Sequence, residues 1–233
     1  MGKEDLRECY EATGDERHYN QAKPLYEQAL ADNPDDPDLL VEYGYLTECH
    51  GRYAIRAAAQ CYQRAIDVDP RQDKPHLQLI SALSALGELD TVIPRYERQV
   101  AQSPDDPRGY RLLATAYVRA DYYQQATRTI RAGLAITPDD PALNELRGDV
   151  YAATGHPDEA LASWRRAFAL ATDDYGISMR YSSAFLLEGQ GLLAEAAGEW
   201  RFIIGWLEEH GEVIHLDWPK RELHRIEAQL AAH

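Results

Sequence analysis

Apolar residues recur along this chain at three- and four-residue steps, with polar positions between them, and the pattern predicts one amphipathic helix after another. The helices come in pairs. A break inside each pair falls at Gly51, Gly87, Gly155 and Gly191, with Asp121 at the corresponding place in a fourth pair. Glycine there suits the left-handed conformation that ends a helix. Pairs are separated from one another by Pro34, Pro70, Pro104 and Pro138, at intervals of 36, 34 and 34 residues. A fixed period of this size marks a solenoid of stacked helical units, so the fold class is all-α.

The connectors carry their own stop and start signals. In Pro34-Asp-Asp-Pro37, Pro104-Asp-Asp-Pro107 and Pro138-Asp-Asp-Pro141 the first proline halts the incoming helix. Asp36, Asp106 or Asp140 then caps the next helix, whose first position takes a proline without losing a hydrogen bond. Pro70-Arg-Gln-Asp-Lys-Pro75 is a looser version, and Thr172-Asp-Asp-Tyr175 keeps the acidic cap alone. Pro24 and Pro94 fall where second helices are expected. A mid-helix proline costs about 3 kcal/mol, so both helices are expected to start late, capped near Asn20 and Asp90.

Within the second helices a small residue precedes a large one by four places. The pairs are Ala22/Tyr26, Ala58/Tyr62, Val92/Tyr96, Ala126/Ile130, Ala160/Trp164 and Ala196/Trp200. Small against large lets helices approach closely while the large side chain fills the adjoining gap. After Asp217-Trp-Pro219, Leu223, Ile226 and Leu230 recur at helical spacing among charges, which predicts an amphipathic helix covering the open end of the array.

These phrases resemble the tetratricopeptide repeat (TPR) family. Leu143-Asn-Glu-Leu-Arg-Gly148-Asp-Val-Tyr151 followed by Gly155, Ala160, Trp164 and Ala167 is the best match. Leu40-Val-Glu-Tyr43-Gly44 followed by Gly51, Ala58, Tyr62, Ala65 and Pro70 is another. In phase with them the array spans residues 1–206, as units 3–36, 37–72, 73–106, 107–140, 141–174 and 175–206. Residues 207–233 hold the end of the last repeat helix, a linker and the capping helix. The resemblance implies a right-handed superhelical solenoid of about six helix-turn-helix repeats, with first helices lining a concave groove for a peptide or partner subunit.

By phase, that groove carries Glu4, Arg7, Glu8, Glu11, Asp38, Glu42, Tyr45 and Glu48 in the first two units. Lys74, Leu77, Gln78, Ser81 and Ser84 follow, then Arg108, Arg111, Thr115 and Arg119, then Glu145 and Asp149, then Met179, Arg180 and Ser183. The candidate ligand-binding set is Glu42, Tyr45, Arg108, Arg111, Thr115, Arg119, Glu145 and Asp149. Arginine forks suit carboxylates, so Arg111 and Arg119 could hold an acidic group. The competing reading makes Arg119, Arg128 and Arg131 solvated charges that pair with neighbouring Asp and Glu. The two-carboxylate clamp of chaperone-tail-binding TPRs finds its nearest equivalent in Arg111, Thr115, Leu146, Gly176 and Arg180. Leu146 and Gly176 replace a required amide and cation, which argues against a chaperone co-factor.

Charge changes the choice of partner. The net charge is −15, and a field of that sign repels phosphate backbones, so no nucleic acid is expected. No apolar run reaches the roughly 20 residues of a membrane span, and the start, Met1-Gly-Lys-Glu-Asp-Leu6, lacks the apolar core of a signal peptide. A cytoplasmic location is favoured, although a chain that begins after a removed leader would look the same. Cys9, Cys49 and Cys61 show no disulfide or metal spacing and read as packed, reduced thiols. No catalytic constellation, metal set or phosphate-binding glycine loop stands out, so no enzyme activity and no cofactor are expected. The expected function is a non-catalytic protein-interaction scaffold or adaptor. The alternatives are a self-assembling homo-oligomer and an accessory module serving an enzyme or an envelope-assembly system.

Overall fold

The computed structural model describes residues 2–13, 16–48, 51–171, 177–212 and 215–231. It divides into two compact units, residues 1–122 and 123–233. In the first unit α1 (Lys3–Thr13) pairs with α2 (Glu16–Asp32), and α3 (Pro37–Glu48) with α4 (Arg52–Val68). Then α5 (Asp73–Leu86) passes through a 3₁₀ turn, Leu89–Thr91, into α6 (Ile93–Gln102), and α7 (Pro107–Arg119) packs on both α5 and α6. In the second unit α8 (Tyr123–Ile136) packs on α9 (Pro141–Ala153), which pairs with α10 (Pro157–Leu170). There α11 (Ile177–Gly189) pairs with α12 (Leu193–Glu209), and α13 (Asp217–Ala231) lies on α12.

The connectors behave as their chemistry dictates. Asp36 Oδ1 accepts the backbone N–H of Asp38 at 3.0 Å and of Leu39 at 3.1 Å. Asp106 accepts that of Arg108, and Asp140 that of Leu143, each at 3.0 Å. Pro37, Pro107 and Pro141 open their helices. The stop prolines have a second role that sequence reading missed. Their carbonyls have left the helical ladder and need donors; at Pro70, Pro104 and Pro138 the residue six places later supplies one, while Arg64 donates to Pro34. His76 Nε2 meets the Pro70 carbonyl at 3.1 Å, the Tyr110 hydroxyl donates to Pro104 at 3.0 Å, and Asn144 donates to Pro138 at 3.2 Å. Asp121 takes the left-handed φ of 59° that glycines take elsewhere. Thr172-Asp-Asp-Tyr175 lies outside the described residues.

The two interior prolines part company. Pro94 stands at the start of α6, after the 3₁₀ turn, as a late-starting helix requires, although Val92 and not Asp90 occupies the cap position. For Pro24 the expectation fails: α2 begins at Glu16 and runs through it. Tyr19, Ala22 and Tyr26, on both sides of that proline, are all buried, and this packing holds the helix continuous across the lost hydrogen bond.

All six small/large pairs are buried, none of the twelve residues more than 5% exposed. A buried phenol or indole needs a partner for its polar end, and here it finds a carboxylate or an imidazole. The Tyr26 hydroxyl donates to Glu42 at 3.1 Å and that of Tyr62 to Glu48 at 3.0 Å. Trp164 Nε1 donates to Asp149 at 2.9 Å and Trp200 Nε1 to Glu188 at 2.8 Å. Helix α13 closes the second unit through Pro219 and fully buried Ile226, with buried Leu216 just before it. Arg225–Glu188, Lys220–Glu208 and Arg201–Glu227 pairs flank it, while Leu230 stays exposed.

Tyr96 is matched with His76, 3.2 Å from hydroxyl to Nδ1. A carbonyl only accepts, so Nε2–H donates to Pro70 and Nδ1 accepts the Tyr96 proton, which makes the imidazole neutral. Burial chiefly pushes the His76 pKa down from 6.5 to about 4, with Arg108 and Arg95 pushing the same way against the Pro70 carbonyl. Below pH 6.5 the unfolded chain takes up a proton that the folded site refuses until about pH 4. Stability therefore falls on acidification through that window, by up to about 3 kcal/mol at 1.36 kcal/mol per pKa unit. In urea titrations at pH 7 and pH 4.5, His76→Gln should narrow the difference between the two stabilities; an unchanged difference would refute the assignment.

Candidate functional site

The first helices α3, α5 and α7 lie side by side in the first unit. Charges on alternate first helices sense one another across the helix between. Lys74 on α5 acts on Glu11 of α1, and Arg119 on α7 acts on Glu48 of α3. Both carboxyls are nonetheless held above their ordinary pKa, because burial outweighs the cations.

Several of the expected ligand-binding side chains prove to be engaged inside the fold. Glu42 takes the Tyr26 hydroxyl and, at 3.2 Å, Lys3. Tyr45 lies under the Arg7 guanidinium, 6.0 Å from its ring centre. Arg108 pairs with Asp73 and donates to the Pro70 and Gln72 carbonyls at 2.9 and 3.2 Å, tying α7 to the preceding connector. Arg111 reaches the same Asp73 at 3.4 Å. The Thr115 hydroxyl donates back to the Arg111 carbonyl at 2.8 Å. Arg119 is exposed at the end of α7, beside Ser84. It joins Glu4, Glu8, Glu11, Asp38, Lys74 and Leu77 among the exposed residues of this face.

In the second unit Asp149 holds Trp164, and Glu145 accepts from Ser178 at 3.4 Å, which places α9 and α11 edge to edge. Here the expected lining needs correction. Met179 and Ser183 are buried, at 1% and 3% exposure. Arg180 points toward the second helices, stacked between the Phe168 and Phe202 rings at 4.3 and 4.2 Å and paired with Glu199 at 2.9 Å. The helical phase of α11 is turned relative to the expectation, because its small position, Ala184, and Met179 both enter the core. Exposed instead are Ser178 and Phe185, and Phe185 joins Tyr181, Trp200 and half-exposed Trp218 in one aromatic cluster. The signal for this was present in the four-residue step from Tyr181 to Phe185. Leu146 of the clamp comparison is half-buried, and Gly176 lies outside the described residues.

Cys9 and Cys61 are half-buried, and burial pushes the Cys61 thiol pKa up, as suits an inert packed thiol. Cys49 and His50 lie outside the described residues. Among the described residues no three His, Cys, Asp or Glu side chains converge as a metal site, and no helix is long and apolar enough to cross a membrane.

Residues 13–67 and 87–150 match two family models, each described as tetratricopeptide repeat. No curated protein matches the chain. Among solved structures, a thermophilic TPR protein of Thermus thermophilus is similar, with a TM-score of 0.61 and 23% identity over 83% of this chain and 100% of that one. A chain of the Cut9–Hcn1 hetero-tetramer of the APC/C gives 0.56 at 14% identity, over 80% of this chain and 36% of its own. At these identities the likeness is one of fold.

Proposed function

Because the chain belongs to the tetratricopeptide repeat family, we propose that it is a non-catalytic interaction scaffold that holds a segment of a partner protein against its first helices. The observation that supports this is the row of polar contacts along the first helices, from Lys3 of α1 to Glu42 of α3 at 3.2 Å and from Arg111 of α7 to Asp73 of α5 at 3.4 Å. Side chains of neighbouring first helices meet along one strip of surface, so a single bound segment would touch several repeats at once. Arg108, Arg111 and Glu42 support the face from below, since the fold already uses their charges. Among the described residues, Lys74 and Arg119 are exposed cations that this face offers a partner.

A photo-crosslinking residue at Ser81, on α5 within this face, should trap the partner from a native lysate. Lys74→Glu with Arg119→Glu should lower the adduct yield about tenfold, the equivalent of roughly 1.4 kcal/mol. Both side chains are exposed, so the fold should tolerate the change. Equal yield from the double variant would overturn the choice of face.

A further inference from the structure

The opposite side of the first unit carries a feature that partner capture by the first helices leaves unused. Between second helices α4 and α6 runs an open furrow of about 560 Å³, floored by α5. Leu79, Leu86 and Val92 lie in it, buried at 3%, 8% and 5% exposure, with half-buried Leu83 beside them. Arg56, Arg95 and Arg98 stand on its rim. Glu88 is the acidic residue in the lining and is already paired with Arg56. Arg95 donates to a neutral partner, Gln63, at 3.0 Å, and Arg98 donates through Nε to the Pro94 carbonyl at 3.2 Å. Among the described residues neither has a carboxylate within ion-pair distance.

The furrow falls where the corresponding place in the preceding repeat holds a larger side chain. Nine residues after the connector proline stands Tyr43 in one repeat and Leu79 in the next. Tyr43 extends between α2 and α4, donates to Glu27 at 3.0 Å and stacks near Tyr26, with ring centres 6.1 Å apart. Leu79 is too short to do the same between α4 and α6. In the second unit the space between α10 and α12 is occupied by Phe168, Arg180 and Phe202. The volume lies in the range of ligand-binding clefts, which combine an apolar floor with a few polar groups.

We infer that this furrow is a second docking site, for an acidic partner segment that seats an apolar side chain between its carboxylates. Leu79, Leu83 and Val92 would cover the apolar side chain. Arg95 and Arg98 would take the carboxylates, using guanidinium donors that Gln63 and Pro94 leave over. In a protein of net charge −15, a local excess of arginine over an apolar floor selects strongly for that charge pattern.

The test is an NMR titration of the ¹⁵N-labelled full chain with a blocked peptide, Glu-Glu-Leu-Leu-Glu-Glu. Amide shifts should cluster at Gln63, Leu83, Val92 and Arg98, and binding should weaken several-fold between 50 and 500 mM salt. Arg95→Glu with Arg98→Glu should weaken it tenfold or more, and the Gln/Gln variant less. A Lys-for-Glu peptide should not bind. Lys74→Glu with Arg119→Glu should leave binding unchanged, which separates this site from the first-helix face. The inference is overturned if no shifts arise at millimolar peptide, if the double reversal binds equally well, or if the shifts map to α3, α5 and α7. It also fails if light scattering shows a dimer that dissociates in the Arg95/Arg98 variant, since the occupant is then a second copy. Circular dichroism of both variants should match the parent; if the reversal unfolds, the Gln/Gln variant decides.

Discussion

Trp200→Ala should destabilise the second unit by about 3–5 kcal/mol, the cost usual for emptying a large aromatic site. Trp200 has no exposed surface. Tyr181, Phe185 and Trp218 meet its ring edge-on, with centres 5.7, 5.4 and 5.4 Å away. Helices α11, α12 and α13 thus share one side chain, and a cavity there loosens all three. Its Nε1 also holds Glu188, which the Arg225 of the capping helix contacts from the other side. Trp200→Phe keeps a ring but loses the donor, and should cost about 1–2 kcal/mol. Urea denaturation followed by far-ultraviolet circular dichroism measures both. A loss below about 1 kcal/mol for the alanine variant, under the usual range for such a site, would mean that the cluster does not hold the end of the array together.

Gly148→Ala should have the second large effect, with a sign opposite to helix propensity. In an exposed helix interior, alanine is better than glycine by about 1 kcal/mol. At Gly148 a Cβ would sit 2.5 Å from Nε1 of Trp164, far inside contact distance. The indole is rigid, 4% exposed and fixed by Asp149, so it has nowhere to move. Overpacking of this kind costs about 1–3 kcal/mol or more, which outweighs the propensity gain. Gly44→Ala should behave alike, since its Cβ would come within 2.6 Å of the Tyr62 ring. Gly198→Ala is the control: nothing lies within 4 Å of its Cβ, so it should stabilise by a few tenths to about 1 kcal/mol. A stabilising Gly148→Ala would show that the indole yields and that the close helix approach is not obligatory.

The repeat architecture was legible because its signals are local and recur. A proline stop, an aspartate cap, a left-handed residue and a small-to-large step each act within a few residues. Repetition in phase then makes a weak motif into a secure one. Pro24 shows where local reasoning fails, since burial on both sides carries α2 across a residue that by itself would end it.

Site residues were less legible, because charge at a helical phase does not say whether the fold has already used it. Glu42, Asp149 and Arg108 fit a ligand-binding face by position, yet they hold Tyr26, Trp164 and a connector. Such partners come from other helices, at separations the repeat does not encode uniformly.

The sequence by itself determined the helical pairs, their junctions and the buried small and large positions, since each follows from short-range sterics and hydrogen bonding. Only the tertiary structure decided which charges remain free, how α11 is turned so that Phe185 and not Met179 meets solvent, and that a furrow lies beneath Arg95 and Arg98 where a leucine stands in place of tyrosine. Those outcomes depend on which side chains of neighbouring helices compete for the same space, and that competition is settled only when the helices are packed together.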